Sequence, residues 1–149
     1  QIASLPDVIW QEQYGQSEAG NLTVRSPEYN LSKSGSVGRP YSDLEMAVFD
    51  KNDQPLPTGE AGEVVTRGRQ VMLGYYKERD QTREVFTRDG WIRTGDIGYF
   101  DDDGFLFLVD RSKDMIISGG ENIFPTEIEE ALYGHEAVNE CAVSHHQKD

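Results

Sequence analysis

Gly98-Tyr99-Phe100-Asp101-Asp102-Asp103-Gly104-Phe105-Leu106-Phe107 is the stretch that decides the fold. An Asp-Gly pair between two aromatic-rich runs is a hairpin signal, because the turn needs residues that tolerate positive φ and the flanks need side chains that suit a pleated surface. The same punctuation extends upstream. Leu44 to Asp50, the turn Asn52-Asp53-Gln54-Pro55, Gly62 to Arg67, Asp89-Gly90-Trp91, Tyr99-Phe100 and Phe105 to Val109 are short β-rich runs broken by turn residues. From Ser34 to Arg111 this spacing predicts a small antiparallel sheet or barrel. One helix is expected, over Lys77 to Val85, with Thr82 and Val85 facing inward, and Trp91 reads as core or hairpin packing.

The ends read differently. Pro6-Asp7-Val8-Ile9-Trp10 is expected to be a strand that empties into a glycine-bounded loop, Tyr14 to Gly20, and strand-end loops are where α/β sheets hold ligands. Beyond Arg111, Met115-Ile116-Ile117-Ser118 is a strand ending in Gly119-Gly120. Pro125 to Tyr133 is a helix with Pro in its first turn, acidic residues near its positive end, Ile128, Ala131 and Leu132 on one face, and Gly134 to end it. Val138 to Val143 is read as a further strand. The fold class is thus mixed α/β and β-rich, in parts 1–33, 34–111 and 112–149.

In 149 residues, 27 Asp and Glu against 14 Lys and Arg give a net charge of −13. Such a field repels polyanions, so nucleic acid is not an expected partner. A mononucleotide remains admissible, because a few local groups and a metal suffice to hold it. Cys141 is alone, which rules out an intrachain disulfide and fits a reducing compartment. No apolar run approaches the roughly 18 residues that span a bilayer. His135, His145 and His146 have no companions at metal-ligand spacing.

Four ordered segments carry a resemblance: Tyr14-Gly15-Gln16-Ser17-Glu18; Gly62-Glu63-Val64-Val65-Thr66-Arg67-Gly68 with Met72-Leu73-Gly74-Tyr75-Tyr76; Gly90-Trp91-Ile92-Arg93-Thr94-Gly95-Asp96; and Asp110-Arg111-Ser112-Lys113-Asp114 running on to Ile123. They resemble, in order, consecutive motifs of the adenylate-forming superfamily, and the glycine stretch is similar to its acyl- and aryl-CoA ligase branch. Any one alone is weak evidence; four in order are not. The resemblance implies that residues 1–33 end an AMP-binding α/β subdomain. It makes 34–111 a distorted antiparallel β-barrel subdomain with a ribose-binding motif, and 112–149 the hinge and start of a small α+β C-terminal domain.

The reaction it implies activates a carboxylic acid, fatty or aryl, as acyl-AMP and transfers the acyl group to CoA, with ATP, Mg²⁺ and CoA as cofactors and co-substrates. By resemblance, the Tyr14 ring lies against adenine and Ser17, where a Thr is commoner, meets the α-phosphate. Glu18 helps hold Mg²⁺, Asp96 accepts from the ribose hydroxyls, and Arg111 reaches the ribose and phosphate side. Lys113 is the hinge, and Gly119 and Gly120 border the pantetheine arm. Blander readings stand beside these: a solvated loop carboxylate for Glu18, a turn cap for Asp96, an ion pair with Asp110 or Asp114 for Arg111, a surface Lys113, and a plain hairpin turn at the two glycines. Ala19 and Gly20 are expected near the acyl group, where small residues leave room.

The family's upstream phosphate loop and its downstream catalytic Lys are not in this sequence, so the chain reads as an internal piece, inactive alone in acyl-CoA formation. Ser32-Lys33-Ser34-Gly35-Ser36 lacks phosphate-loop spacing and is expected to be a mobile surface loop. Two alternatives stay open: a non-catalytic β-rich binding module, and an adenylating enzyme whose acceptor is a carrier-protein thiol. A cytoplasmic location is expected, and a homo-oligomer is left open.

Overall fold

The computed structural model describes residues 10–118 and 121–144, with only the backbone described at Ile117, Ser118, Glu121 and Asn122. Strands β1 (Glu12–Gln16), β2 (Gly20–Arg25), β3 (Ser36–Pro40), β4 (Leu44–Phe49), β5 (Gly62–Gly68), β6 (Ile92–Phe100) and β7 (Leu106–Arg111) form one seven-stranded sheet in the order β1-β2-β3-β7-β6-β5-β4. Every pairing is antiparallel. The sheet is open, with β1 and β4 as its edges. Because β2 pairs with β3, the boundary at residues 33 and 34 is not a gap in the hydrogen bonding.

The hairpin that opened the sequence reading joins β6 to β7. Its turn is fixed by Asp101, whose Oδ1 accepts from the N–H groups of Asp103 and Phe105, while Asp101 and Phe105 also close a backbone bond. Lys33 reaches across to Asp101 at 2.7 Å and Asp103 at 2.5 Å, and Ser36 is fully buried. The Ser32–Ser36 segment is therefore stitched to this hairpin, not the mobile loop its composition predicts. Small polar residues look loop-like in sequence, and their anchors lie 68 and 70 residues away.

Val64 and Val65 of β5 and Ile92 and Ile97 of β6 join Leu22, Leu44, Val48, Phe49, Phe105 and Leu106 in the core. Val64, Val65 and Thr66 are buried in succession, so β5 is covered on both faces. Helix α1 (Arg79–Val85) leaves only Thr82 and Val85 half-buried, as its charge pattern predicts. Trp91 packs edge-on to Phe49 at 5.4 Å beneath the Arg67 guanidinium, a structural role.

After β7 come the two-stranded hairpin β8 (Ile116–Ser118) and β9 (Glu121–Ile123) and helix α2 (Pro125–Tyr133). Gly134 caps α2 in right-handed geometry, with φ −64°. Residues 138–143 are not a strand. The N–H groups of Cys141 and Val143 donate to the Tyr133 hydroxyl and the Glu129 carboxylate, so side chains of α2 take the place of a ladder. Among the described residues no helix is long and apolar enough to cross a membrane.

Candidate functional site

Two irregularities in neighbouring strands build the site. Along β5 and β6, Val65 faces Arg93 and Glu63 faces Ile97, so Thr94, Gly95 and Asp96 bulge out opposite Val64. Across the other edge of β6, Ile97 faces Asp110 and Gly98 faces Leu108, which leaves Val109 extra in β7. Bulges bend a strand and re-aim its side chains. Thr94 holds this one: its hydroxyl donates to Val64 O at 2.8 Å and accepts from the Asp96 N–H at 3.1 Å. Gly95 sits at φ +76°, in the left-handed region that glycine occupies without strain. Thr94-Gly95-Asp96 is thus a bulge inside a continuous nine-residue strand, invisible to a reading based on turn residues.

The bulge turns the Asp96 carboxylate toward β1 and the end of β7. The Tyr14 hydroxyl donates to its Oδ2 at 2.5 Å, and Arg111 Nε lies 3.7 Å from its Oδ1. Burial, and then the Asp96 acceptor, push the Tyr14 hydroxyl far above its ordinary pKa, so it stays a neutral donor. The Arg111 side chain is 65% exposed, and this contact is long. Arg111 pairs with Asp96, not with Asp110 or Asp114 as the blander reading expects.

Opposite lies the β1–β2 turn. Tyr14, Gly15 and Gln16 are strand, not loop; Ser17-Glu18-Ala19 is the tip, closed by Gln16 facing Gly20. Ser17 is exposed, and Glu18 Oε1 accepts from the Tyr75 hydroxyl at 2.9 Å. Ala19 is fully buried with Leu22, Leu44 and Ile92, so it leaves no room for an acyl chain. The Cβ methyl serves the core, and the sequence alone does not tell the two uses apart.

Together these segments line an open cleft of about 1360 Å³ that brings Tyr14, Ser17, Glu18, Asp96, Arg111 and Lys113 to one place. Gln16 lines it too, and its Nε2 is buried with no acceptor among the described residues, a donor suited to an oxygen-rich ligand. No cluster of three metal-binding side chains occurs among the described residues. Glu18 is then a single hard oxygen donor, and such a donor set fits Mg²⁺ completed by phosphate oxygens and water.

Lys113 lies in the turn after β7, where the N–H groups of Asp114 and Met115 both donate to Arg111 O. It is exposed and stands between the cleft and an adjoining cavity of about 650 Å³ lined by Asp110, Thr126 and Glu129. Gly119 and Gly120 lie outside the described residues, as do His145 and His146. Sequence reasoning missed Gln16 and Tyr75. The Tyr75 motif was in plain sight, but its partner lies 57 residues away.

Residues 5–76 match the AMP-binding enzyme family. Over that stretch the chain is similar to the AMP-binding enzymes. A sulfoacetate–CoA ligase of Cupriavidus necator is 53% identical to it over 132 residues, 88% of this chain and 26% of that protein. The o-succinylbenzoate CoA synthetase of Bacillus subtilis in complex with its acyl-adenylate intermediate superposes with a TM-score of 0.83 at 37% identity, covering 95% of this chain and 29% of that one. The same synthetase in complex with ATP and magnesium gives 0.79 at 39% identity, over 90% and 28%. The chain therefore spans about a quarter of the length of the curated relatives it matches.

Proposed function

We propose that the protein containing this chain is an AMP-forming acid–thiol ligase acting on a carboxylic acid, ATP and CoA. The observation that carries this reading is the convergence of Tyr14, Asp96 and Arg111 in one cleft facing Glu18. A carboxylate such as Asp96 has about four lone-pair sites, so two donors still leave it able to accept from a cis-diol. The Tyr14 ring offers a face to a base, and Arg111 offers donors to phosphate. Ser17 supplies a hydroxyl to the α-phosphate, and Mg²⁺ bound at Glu18 would neutralise charge on the phosphate oxygens.

In the first step a substrate carboxylate oxygen bonds to the α-phosphorus while the bond to pyrophosphate breaks. In the second, the thiolate sulfur of CoA bonds to the acyl carbon and AMP leaves. The swing between the two poses is assigned to the turn at Lys113, where the exposed residues 112–114 lead from β7 toward β8, and the glycines at 119 and 120 are assigned to the pantetheine path. Residues 1–33, 34–111 and 112–149 are then the end of the AMP-binding subdomain, the β-rich subdomain and the start of the C-terminal domain. A cytoplasmic location goes with these substrates and a lone cysteine.

The test is ATP–pyrophosphate exchange by the full-length protein over a panel of fatty and aryl acids, followed by acyl transfer to free CoA. Acid-dependent exchange with transfer to CoA is expected. Exchange without transfer points to a carrier-protein thiol, and no exchange with any acid points to a binding module.

A further inference from the structure

The loop 72–76 has no role in the reading above, yet it is fastened to the candidate metal carboxylate at two points. The Met72 N–H donates to the backbone oxygen of Glu18 at 2.7 Å, and the Tyr75 hydroxyl donates to Glu18 Oε1 at 2.9 Å. The other end of the loop is clamped to α1. The Tyr75 N–H donates to Thr82 Oγ1 at 2.9 Å, and that hydroxyl donates in turn to Glu78 O at 2.7 Å. Gly74, at φ +146°, lets Thr82 close in: a Cβ there would stand 2.7 Å from Thr82 Cγ2.

We propose that Tyr75 is a positioning residue for Glu18, fixing its carboxylate so that the second oxygen faces the cleft as a ready cation ligand. The proposal rests on the assignment of Glu18 to the metal. Glu18 stands half-buried at the hairpin tip beside the exposed Ser17, and an unsupported carboxylate there spreads over several rotamers. A donor whose own backbone is pinned on both sides removes that freedom, and hydrogen-bonded supports of this kind set metal affinity by roughly 10- to 100-fold. Tyr75 lines the same cleft as Glu18, so the contact is made inside the site, not on the far side of the loop. A purely structural tyrosine would steady the loop and leave cation binding alone.

The test is Mn²⁺ binding by the full-length protein in the presence of a non-hydrolysable ATP analogue, read by electron paramagnetic resonance. Affinity for the analogue without metal is measured by calorimetry, and folding by circular dichroism. Tyr75→Phe keeps the ring and removes only the donor; it should weaken Mn²⁺ about tenfold or more and leave metal-free analogue binding unchanged. Thr82→Val cuts the loop's anchor while keeping the Tyr75 hydroxyl, and should weaken Mn²⁺ less and in the same direction. Unchanged Mn²⁺ affinity in Tyr75→Phe, with Glu18→Gln clearly weakened, overturns the role of Tyr75 and leaves the Glu18 assignment standing. Unchanged affinity in Glu18→Gln overturns both. An equal loss of metal-free analogue binding in Tyr75→Phe also overturns the proposal, because it moves Tyr75 to nucleotide contact.

Discussion

Asp96 concentrates most of the chemistry at the scale of single residues. It is only 18% exposed at its side chain, takes a proton donor from Tyr14 and faces Arg111, so replacing it changes both charge and acceptor count. Asp96→Asn should weaken ATP binding by the full-length protein roughly tenfold or more, since a hydrogen bond to a charged group contributes about 1.5–3 kcal/mol; isothermal calorimetry checks this. Tyr14 gives a second prediction, in alkali. Its folded pKa is raised, so its contribution to stability is complete below the ordinary tyrosine value near 10 and is lost only as pH rises toward the higher folded value. In a spectrophotometric titration Tyr14 should ionise late, and Asp96→Asn should bring it earlier.

Elements place these residues, and two joints matter. The β6 bulge depends on Gly95, where any L side chain is strained by about 1–2 kcal/mol. Gly95→Ala should lower thermal stability by about that amount and should weaken nucleotide binding as well, because the bulge aims Asp96. The second joint is at α2. Its own N-cap, Phe124, offers no side-chain acceptor, and Asp110 of β7 substitutes for one: the Thr126 N–H and hydroxyl donate to Asp110 Oδ2 at 3.2 and 3.1 Å. Asp110→Ala should cost about 1 kcal/mol in that helix, seen as faster amide exchange at Thr126 and its neighbours with exchange in β5 unchanged.

Across the whole molecule, the dominant feature is excess negative charge steadied by local partners. Asp101 is held below the ordinary carboxyl range: burial opposes this, but Lys33 and the N–H of Phe105 outweigh it. Asp50 is lowered by the N–H groups of Gln54 and Asn52, and Glu45 by Arg67. Groups with lowered folded pKa values stabilise above their unfolded values near 4, and that stability disappears as pH falls through the folded ones. Thermal stability should therefore hold down to about pH 5 and drop below about pH 4. Lys33→Met should flatten that drop, as measured by melting temperature against pH.

The sequence by itself determined the local rules. Asp-Gly at 103 and 104 makes a hairpin wherever it is placed between pleat-forming runs, Pro125 starts a helix, and the charge pattern of 77–85 leaves only Thr82 and Val85 to face inward. It also carried the ordered motifs whose side chains, Tyr14, Glu18, Asp96 and Arg111, converge on one cleft. Only the tertiary structure decided what depends on partners far along the chain. Val109 and the Thr94–Asp96 segment become bulges because the pairing of β6 with β5 and with β7 shifts register there, and Ala19 becomes core because the β1–β2 tip packs against Leu44 and Ile92. Lys33 is an anchor because Asp101 and Asp103 come to it, and residues 138–143 are not a strand because α2 side chains take their N–H groups. Short-range propensity contains none of this, since each outcome is set by contacts between residues tens of positions apart.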